Sequence, residues 1–111
     1  MYYVNSYNLK EDKAIEYQKW LLSDEAKQLF ADVEAETGWH YVETYWPIMG
    51  FGEYDVEDWW ELPDWAAFDK SRASKATERL MSRWNELDFG DPSRPASTRM
   101  LRSTSDVKIF E

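Results

Sequence analysis

Short runs rich in β-branched and aromatic residues alternate along this chain with longer stretches whose apolar residues recur every three or four positions. The run Met1 to Tyr7 gives way to the polar stretch Asn8 to Asp12 and predicts a first strand over Tyr2–Tyr7. Ile15, Leu22, Ala26, Leu29, Phe30 and Val33 then fall on one helical face, which Trp20 and Leu21 widen. Ser23-Asp24-Glu25 reads as an N-cap inside that stretch, so a kink or restart is expected there, and Gly38 is a stop signal. A second strand is predicted over Trp39–Trp46, ended by Pro47, and a third over Tyr54–Leu62 after the turn Gly50-Phe51-Gly52. Asp64 is placed to cap a second helix running to Leu87, with Trp65, Phe68, Ala73 or Ala76, Leu80, Trp84 and Leu87 on its inner face. The loop Phe89–Ala96 precedes a fourth strand over Ala96–Thr104, and Val107–Phe110 reads as an edge strand or arm.

The order is β-α-β-β-α-β, the ferredoxin-like arrangement of an α+β domain: a four-stranded antiparallel sheet with two helices on one face. At 111 residues, positions 1–111 form one domain. The second and third strands carry rings on both alternating sides: Trp39, Tyr41, Tyr45 and Trp46 in one, Tyr54, Trp59 and Trp60 in the other. A strand with a single wet side has no use for that, so both faces of the sheet are expected to be covered. Helices cover one. A second copy of the chain, packed sheet to sheet in a twofold homodimer, would cover the other and enclose a space able to hold a ligand.

Charge and composition narrow the partners. The formal net charge is −9, which repels phosphate backbones and anionic membranes, so neither nucleic acid nor membrane is an expected partner. There is no cysteine, which removes disulfides, thiolate metal sites and cysteine nucleophiles and fits a cytoplasmic protein. Met1 to Asn5 has neither a basic start nor an apolar stretch of signal length, so secretion is not expected. No run approaches the roughly 20 apolar residues of a membrane span.

The stretch Trp39…Tyr45-Trp46-Pro47…Gly50…Glu57-Asp58-Trp59-Trp60-Glu61-Leu62-Pro63-Asp64-Trp65-Ala66-Ala67-Phe68, with the order of elements over nearly the whole chain, resembles the dimeric α+β barrel superfamily. Within it the likeness is to NIPSNAP-like and antibiotic-biosynthesis-monooxygenase-like families. The resemblance implies the fold and the sheet-to-sheet dimer; its members span oxygenases, haem-degrading enzymes, isomerases and proteins with no known activity. Haem-degrading members use an asparagine on the first strand, a tryptophan on the third and a histidine on the second helix. Asn5 and Trp59 or Trp60 occupy comparable places, but the helix position falls near Asp69 or Lys70. Without that axial imidazole, no haem and no other cofactor is expected.

The candidate chemistry is carried by few residues. His40, the sole histidine, is a general base or proton shuttle in one reading and an ordinary polar residue at a strand start in the other. No spacing around it is a metal signature. Glu57, Trp59 and Glu61 share one side of the third strand, and Trp39, Tyr41, Glu43 and Tyr45 one side of the second. If those sides coincide they make an acidic, aromatic wall, either lining a cavity or partly solvated. Tyr3, Asn5 and Tyr7 share one side of the first strand, and Arg99 and Arg102 lie on opposite sides of the last, Arg102 being the candidate to enter the cavity. The catalytic candidates are thus His40, Glu43 and Asn5; the ligand-binding ones are Tyr3, Tyr7, Tyr41, Tyr45, Glu57, Trp59, Glu61 and Arg102. The function expected is a small-molecule cavity protein for an aromatic or hydrophobic ligand, as a cofactor-independent monooxygenase or isomerase. The alternative is a non-catalytic protein–protein interaction and assembly module.

Overall fold

The computed structural model describes residues 1–106. The strands are β1 (Tyr2–Tyr7), β2 (His40–Tyr45), β3 (Val56–Glu61) and β4 (Ser97–Leu101). They form one antiparallel sheet in the order β2-β3-β1-β4, so the ferredoxin-like topology holds. The extension expected over Val107–Phe110 lies outside the described residues. No helix among the described residues is long and apolar enough to cross a membrane.

Each helical connection is two helices rather than one. The first is α1 (Ala14–Leu21) and α2 (Asp24–Thr37), broken at Ser23, whose side chain accepts from Ala26 N–H as an N-cap. Gly38 closes α2 in the left-handed conformation, φ 80°. The second connection is α3 (Trp65–Ala73) and α4 (Lys75–Leu87). Asp64 caps α3, and Ser74 caps α4 by accepting from Thr77 N–H. Glu36 of α2 locks that joint: its Oε1 accepts from Ser74 Oγ at 3.1 Å and from Ala76 N–H at 3.2 Å.

The break at Ser23 corrects the expected inner face. Ile15 and Leu22 are 68% and 67% exposed, while Tyr17 and Trp20 of α1 are buried. A single helical phase does not carry across a restart, so the stripe read through Ser23 was out of register on α1. Trp65, also expected inside, is exposed at the first position of α3.

The helices cover the face that carries Tyr3, Asn5 and Tyr7 of β1, opposite Trp60, Asp58 and Val56 of β3. Tyr7, Leu9, Tyr17, Trp20, Val56 and Phe89 pack at one end of this layer, and Val33, Trp39, Trp60, Leu62, Ala67 and Ala76 at the other. Phe30 and Leu80 touch both groups. Phe30 stacks on Tyr41 at 4.3 Å and meets Trp60 edge-on at 5.7 Å, which fixes α2 over β2 and β3.

β2 does not run straight. Its register against β3 shifts between Tyr41, opposite Trp60, and Glu43, opposite Trp59, leaving Val42 as the extra residue of a bulge. Tyr41 therefore shares a face with Trp60, beneath the helices, and Glu43 and Tyr45 share the other with Trp59 and Glu57. The common side expected for Trp39, Tyr41, Glu43 and Tyr45 is split in two by this one residue.

Candidate functional site

Alternation puts Tyr2, Val4 and Ser6 of β1, Glu57, Trp59 and Glu61 of β3, and Arg99 of β4 on the helix-free face. Trp59 is its centre. Tyr2 tilts against it at 5.6 Å between ring centroids, and Tyr45 meets it edge-on at 6.0 Å. Val4 lies in register between Trp59 and Arg99 and is fully buried, although no helix covers this side. Beside the rings is a polar centre. Glu57 Oε2 accepts from Ser6 Oγ at 3.2 Å and faces Arg99 Nη2 at 3.6 Å, while Oε1 accepts from Trp59 Nε1 at 3.3 Å. The expected acidic, aromatic wall thus exists in Glu43, Tyr45, Glu57, Trp59 and Glu61.

The arginine of this wall is Arg99. Arg102 lies beyond the end of β4 and is exposed. His40 pairs in register with Glu61 at the sheet's edge, is exposed, and holds Glu34 through Nδ1 at 2.8 Å. Glu43 Oε1 accepts from the next backbone N–H, that of Thr44, at 2.9 Å. Arg99 is the other arginine of the pair read from the sequence; Ser6 and Tyr2 were not singled out there, although alternation from Val4 and Trp59 points to both.

Asn5, Tyr3, Tyr7 and Tyr41 lie on the other side of the sheet. Asn5 accepts a long bond from Thr98 Oγ1 at 3.4 Å, and Tyr3 packs against Trp39 at 5.2 Å. Tyr7 and Tyr41 join a second polar group centred on Asp58. Asp58 Oδ1 accepts from Tyr7 Oη at 2.9 Å and from Thr44 Oγ1 at 2.7 Å. Tyr7 Oη is also hydrogen-bonded to Tyr17 Oη of α1, and Thr44 Oγ1 to Tyr41 Oη. The result is one chain of hydroxyls, Tyr17–Tyr7–Asp58–Thr44–Tyr41, running across β1, β3 and β2 under the helices.

Its electrostatics are those of a carboxyl without a counter-ion. Burial pushes Asp58 up to about 6 from its ordinary 3.8, against the two hydrogen bonds, which pull it down. Burial likewise raises Tyr7, Tyr17 and Tyr41, with the nearby Asp58 charge adding to it, so all three stay protonated. Asp58 was not a sequence candidate. The available signal was its position between Val56 and Trp60 on the apolar side of β3.

Clefts of about 670 and 320 Å³ flank the end of the sheet, one beside Trp46, Tyr54 and Arg94, the other beside Tyr7 and Trp84. A third, about 480 Å³, lies between Glu25 of α2 and Arg83 of α4. None is lined by the helix-free face. No group of three or more His, Asp or Glu is placed to hold a metal among the described residues.

No family model and no curated protein matches this chain. Solved structures do. A protein of Agrobacterium tumefaciens superposes with a TM-score of 0.64 at 17% identity, covering 94% of this chain and 95% of its own. A dabb family protein with a ferredoxin-like fold from Mesorhizobium loti gives 0.63 at 14% identity over 92% and 96%. A NIPSNAP domain protein from Burkholderia xenovorans, described as uncharacterized, gives 0.64 at 12% identity over 96% and 97%. The chain therefore has the ferredoxin-like fold that dabb and NIPSNAP proteins share, the fold the sequence resemblance implied.

Proposed function

We propose that two copies of this chain pair through their helix-free faces into a dimeric α+β barrel that holds a small aromatic or hydrophobic molecule between the sheets. The observation that carries this reading is Trp59. Its ring sits between Tyr2 and Tyr45 on a face no helix covers, with its N–H on Glu57. An exposed aromatic cluster around a fully buried valine is what a chain presents to a partner or ligand, not to water. The polar centre suits proton transfer: Glu57 is positioned by Ser6 and Arg99, and a second copy laid on this face would exclude water from it. Cofactor-independent isomerisation or monooxygenation of the bound molecule is the matching class of chemistry. A cytoplasmic setting belongs to the same reading, in keeping with a chain that has no cysteine.

The test has two arms. Light scattering after gel filtration gives twice the chain mass, and Trp59→Glu gives the single-chain mass with the helical circular dichroism kept. A panel of small aromatic molecules then quenches tryptophan fluorescence saturably in the wild type and not in Trp59→Leu. A monomer at micromolar concentration overturns the reading. A dimer that takes no ligand leaves the second reading, an assembly module. That reading draws support from Glu57, whose partners Ser6, Trp59 and Arg99 all come from its own face.

A further inference from the structure

Asp58 has no part in the helix-free face, and its surroundings are unusual for a carboxyl. It sits on β3 between Val56 and Trp60, which belong to the two halves of the core. The groups facing it are all neutral: Tyr7 from β1, Tyr17 from α1, and Thr44 and Tyr41 from β2. Of the other acids, Glu57 next to it points to the opposite face, and Glu43, whose charge acts on Tyr41, has its carboxylate turned to its own strand's backbone. From α4, Trp84 meets the edge of Tyr7 at 5.6 Å. No lysine, arginine or histidine pairs with Asp58 among the described residues.

Both hydrogen bonds go to one oxygen. Oδ1 takes Tyr7 and Thr44, and Oδ2 takes no donor among the described residues. Thr77 Oγ1 is the sealed, unpartnered side-chain atom among these residues, so Asp58 Oδ2 is still within reach of water. An ionised carboxylate needs donors on both oxygens. A neutral carboxyl needs them only on its carbonyl oxygen, and Oδ2 then carries the proton as a donor to water. The protein's own donors match that carbonyl oxygen and leave Oδ2 to solvent.

The same carboxyl is where the layers are tied. Through Tyr7 it reaches Tyr17, the buried tyrosine of α1, and through Thr44 it reaches Tyr41, on which Phe30 of α2 is stacked. We propose that Asp58 is a proton-uptake site that sets how firmly α1 and α2 are held on the sheet. With a proton on Oδ2, the carbonyl Oδ1 keeps both hydroxyls and the interior stays dry. Loss of that proton to solvent leaves a charge whose Oδ2 has water as its donor and no protein group, and the further water drawn to it competes for the Tyr7–Tyr17 link. The helices are then tightest in acid and loosen as the pH rises toward 6, where burial has placed this carboxyl's titration, with no further change above it.

Infrared difference spectra and amide hydrogen exchange of the whole chain test this. A protonated-carboxyl band titrates near pH 6 in the wild type and is absent from Asp58→Asn. Exchange at Ala14–Leu21, corrected for the intrinsic pH effect, speeds up between about pH 4 and 6, levels off above 6 in the wild type and is flat in Asp58→Asn. The ceiling on that acceleration is on the order of 100-fold, since a shift from 3.8 to about 6 spans about two decades. Thr44→Val, which removes one donor to Oδ1, moves the midpoint to higher pH and serves if the asparagine variant does not fold. A carboxyl still ionised at pH 4.5, equal acceleration in both proteins, or a midpoint unmoved by Thr44→Val overturns the proposal.

Discussion

Glu57 and Asp58 are covalent neighbours on β3 that stand in different media. Glu57 meets Arg99 and Ser6 on the helix-free face, and Asp58 meets only hydroxyls beneath the helices. A strand turns successive side chains to opposite faces, so a single peptide unit separates a paired carboxylate from an uncompensated one.

That difference sets a pH dependence of stability. Asp58 has a folded-state pKa raised from 3.8 to about 6, so the folded state binds a proton more tightly than the unfolded chain. Its destabilising effect is absent below pH 3.8, grows between 3.8 and 6, and is complete above 6. About two pKa units correspond to roughly 3 kcal/mol. Asp58→Asn, which keeps an acceptor oxygen for Tyr7 and Thr44, should raise unfolding free energy at pH 7.5 by about 2–3 kcal/mol and leave it nearly unchanged at pH 4. Urea denaturation at the two pH values measures this.

Trp59 and Trp60 give a contrasting pair of substitutions. Trp60 is buried among Trp39, Tyr41 and Phe30, so Trp60→Ala should cost about 3–5 kcal/mol. Trp59 is half-buried between Tyr2 and Tyr45, and Trp59→Ala in the separated chain should cost roughly 1–2 kcal/mol. Chemical unfolding at low protein concentration distinguishes them; equal losses would mean the two faces are equally packed within one chain.

Much of this architecture is legible along the chain, because runs of β-branched and aromatic residues and Gly38, Pro47 and Asp64 act locally. The restart at Ser23 is readable for the same reason. The equivalent break at Ser74 carries the same cap chemistry but is masked, since Ala73 and Ala76 both fit a continuous helical face. What depends on pairing is not legible. The extra residue Val42 moves Tyr41 to the helix side, and only the register against Trp59 and Trp60 reveals it. The wall of Glu57, Trp59 and Glu61 follows from alternation alone, whereas Asp58 becomes notable only once Tyr7 and Thr44 are folded onto it.

Ser74→Ala should cost about 1–2 kcal/mol, because the hydroxyl both caps α4 and donates to Glu36. Its effect should exceed that of removing Glu36's exposed partner by Arg79→Ala, whose contact is 3.5 Å between exposed groups. Thermal melts of the two variants check the order.

Gly90→Ala should destabilise by roughly 1–3 kcal/mol. A Cβ there would lie 2.3 Å from Trp84 Cη2, and that indole is held edge-on by Tyr7 at 5.6 Å. The disturbance should reach Tyr7 and show as a changed near-ultraviolet circular dichroism.

The bulge at Val42 also has a consequence at the rim of the sheet. β2 is a border strand, and its ladder is interrupted at Val42 and stopped soon after by Pro47. A foreign strand laid alongside finds no straight row of amides and carbonyls to copy. Lateral, template-driven growth into fibrils is therefore obstructed at this border by the same single-residue insertion that sorts the aromatic rings.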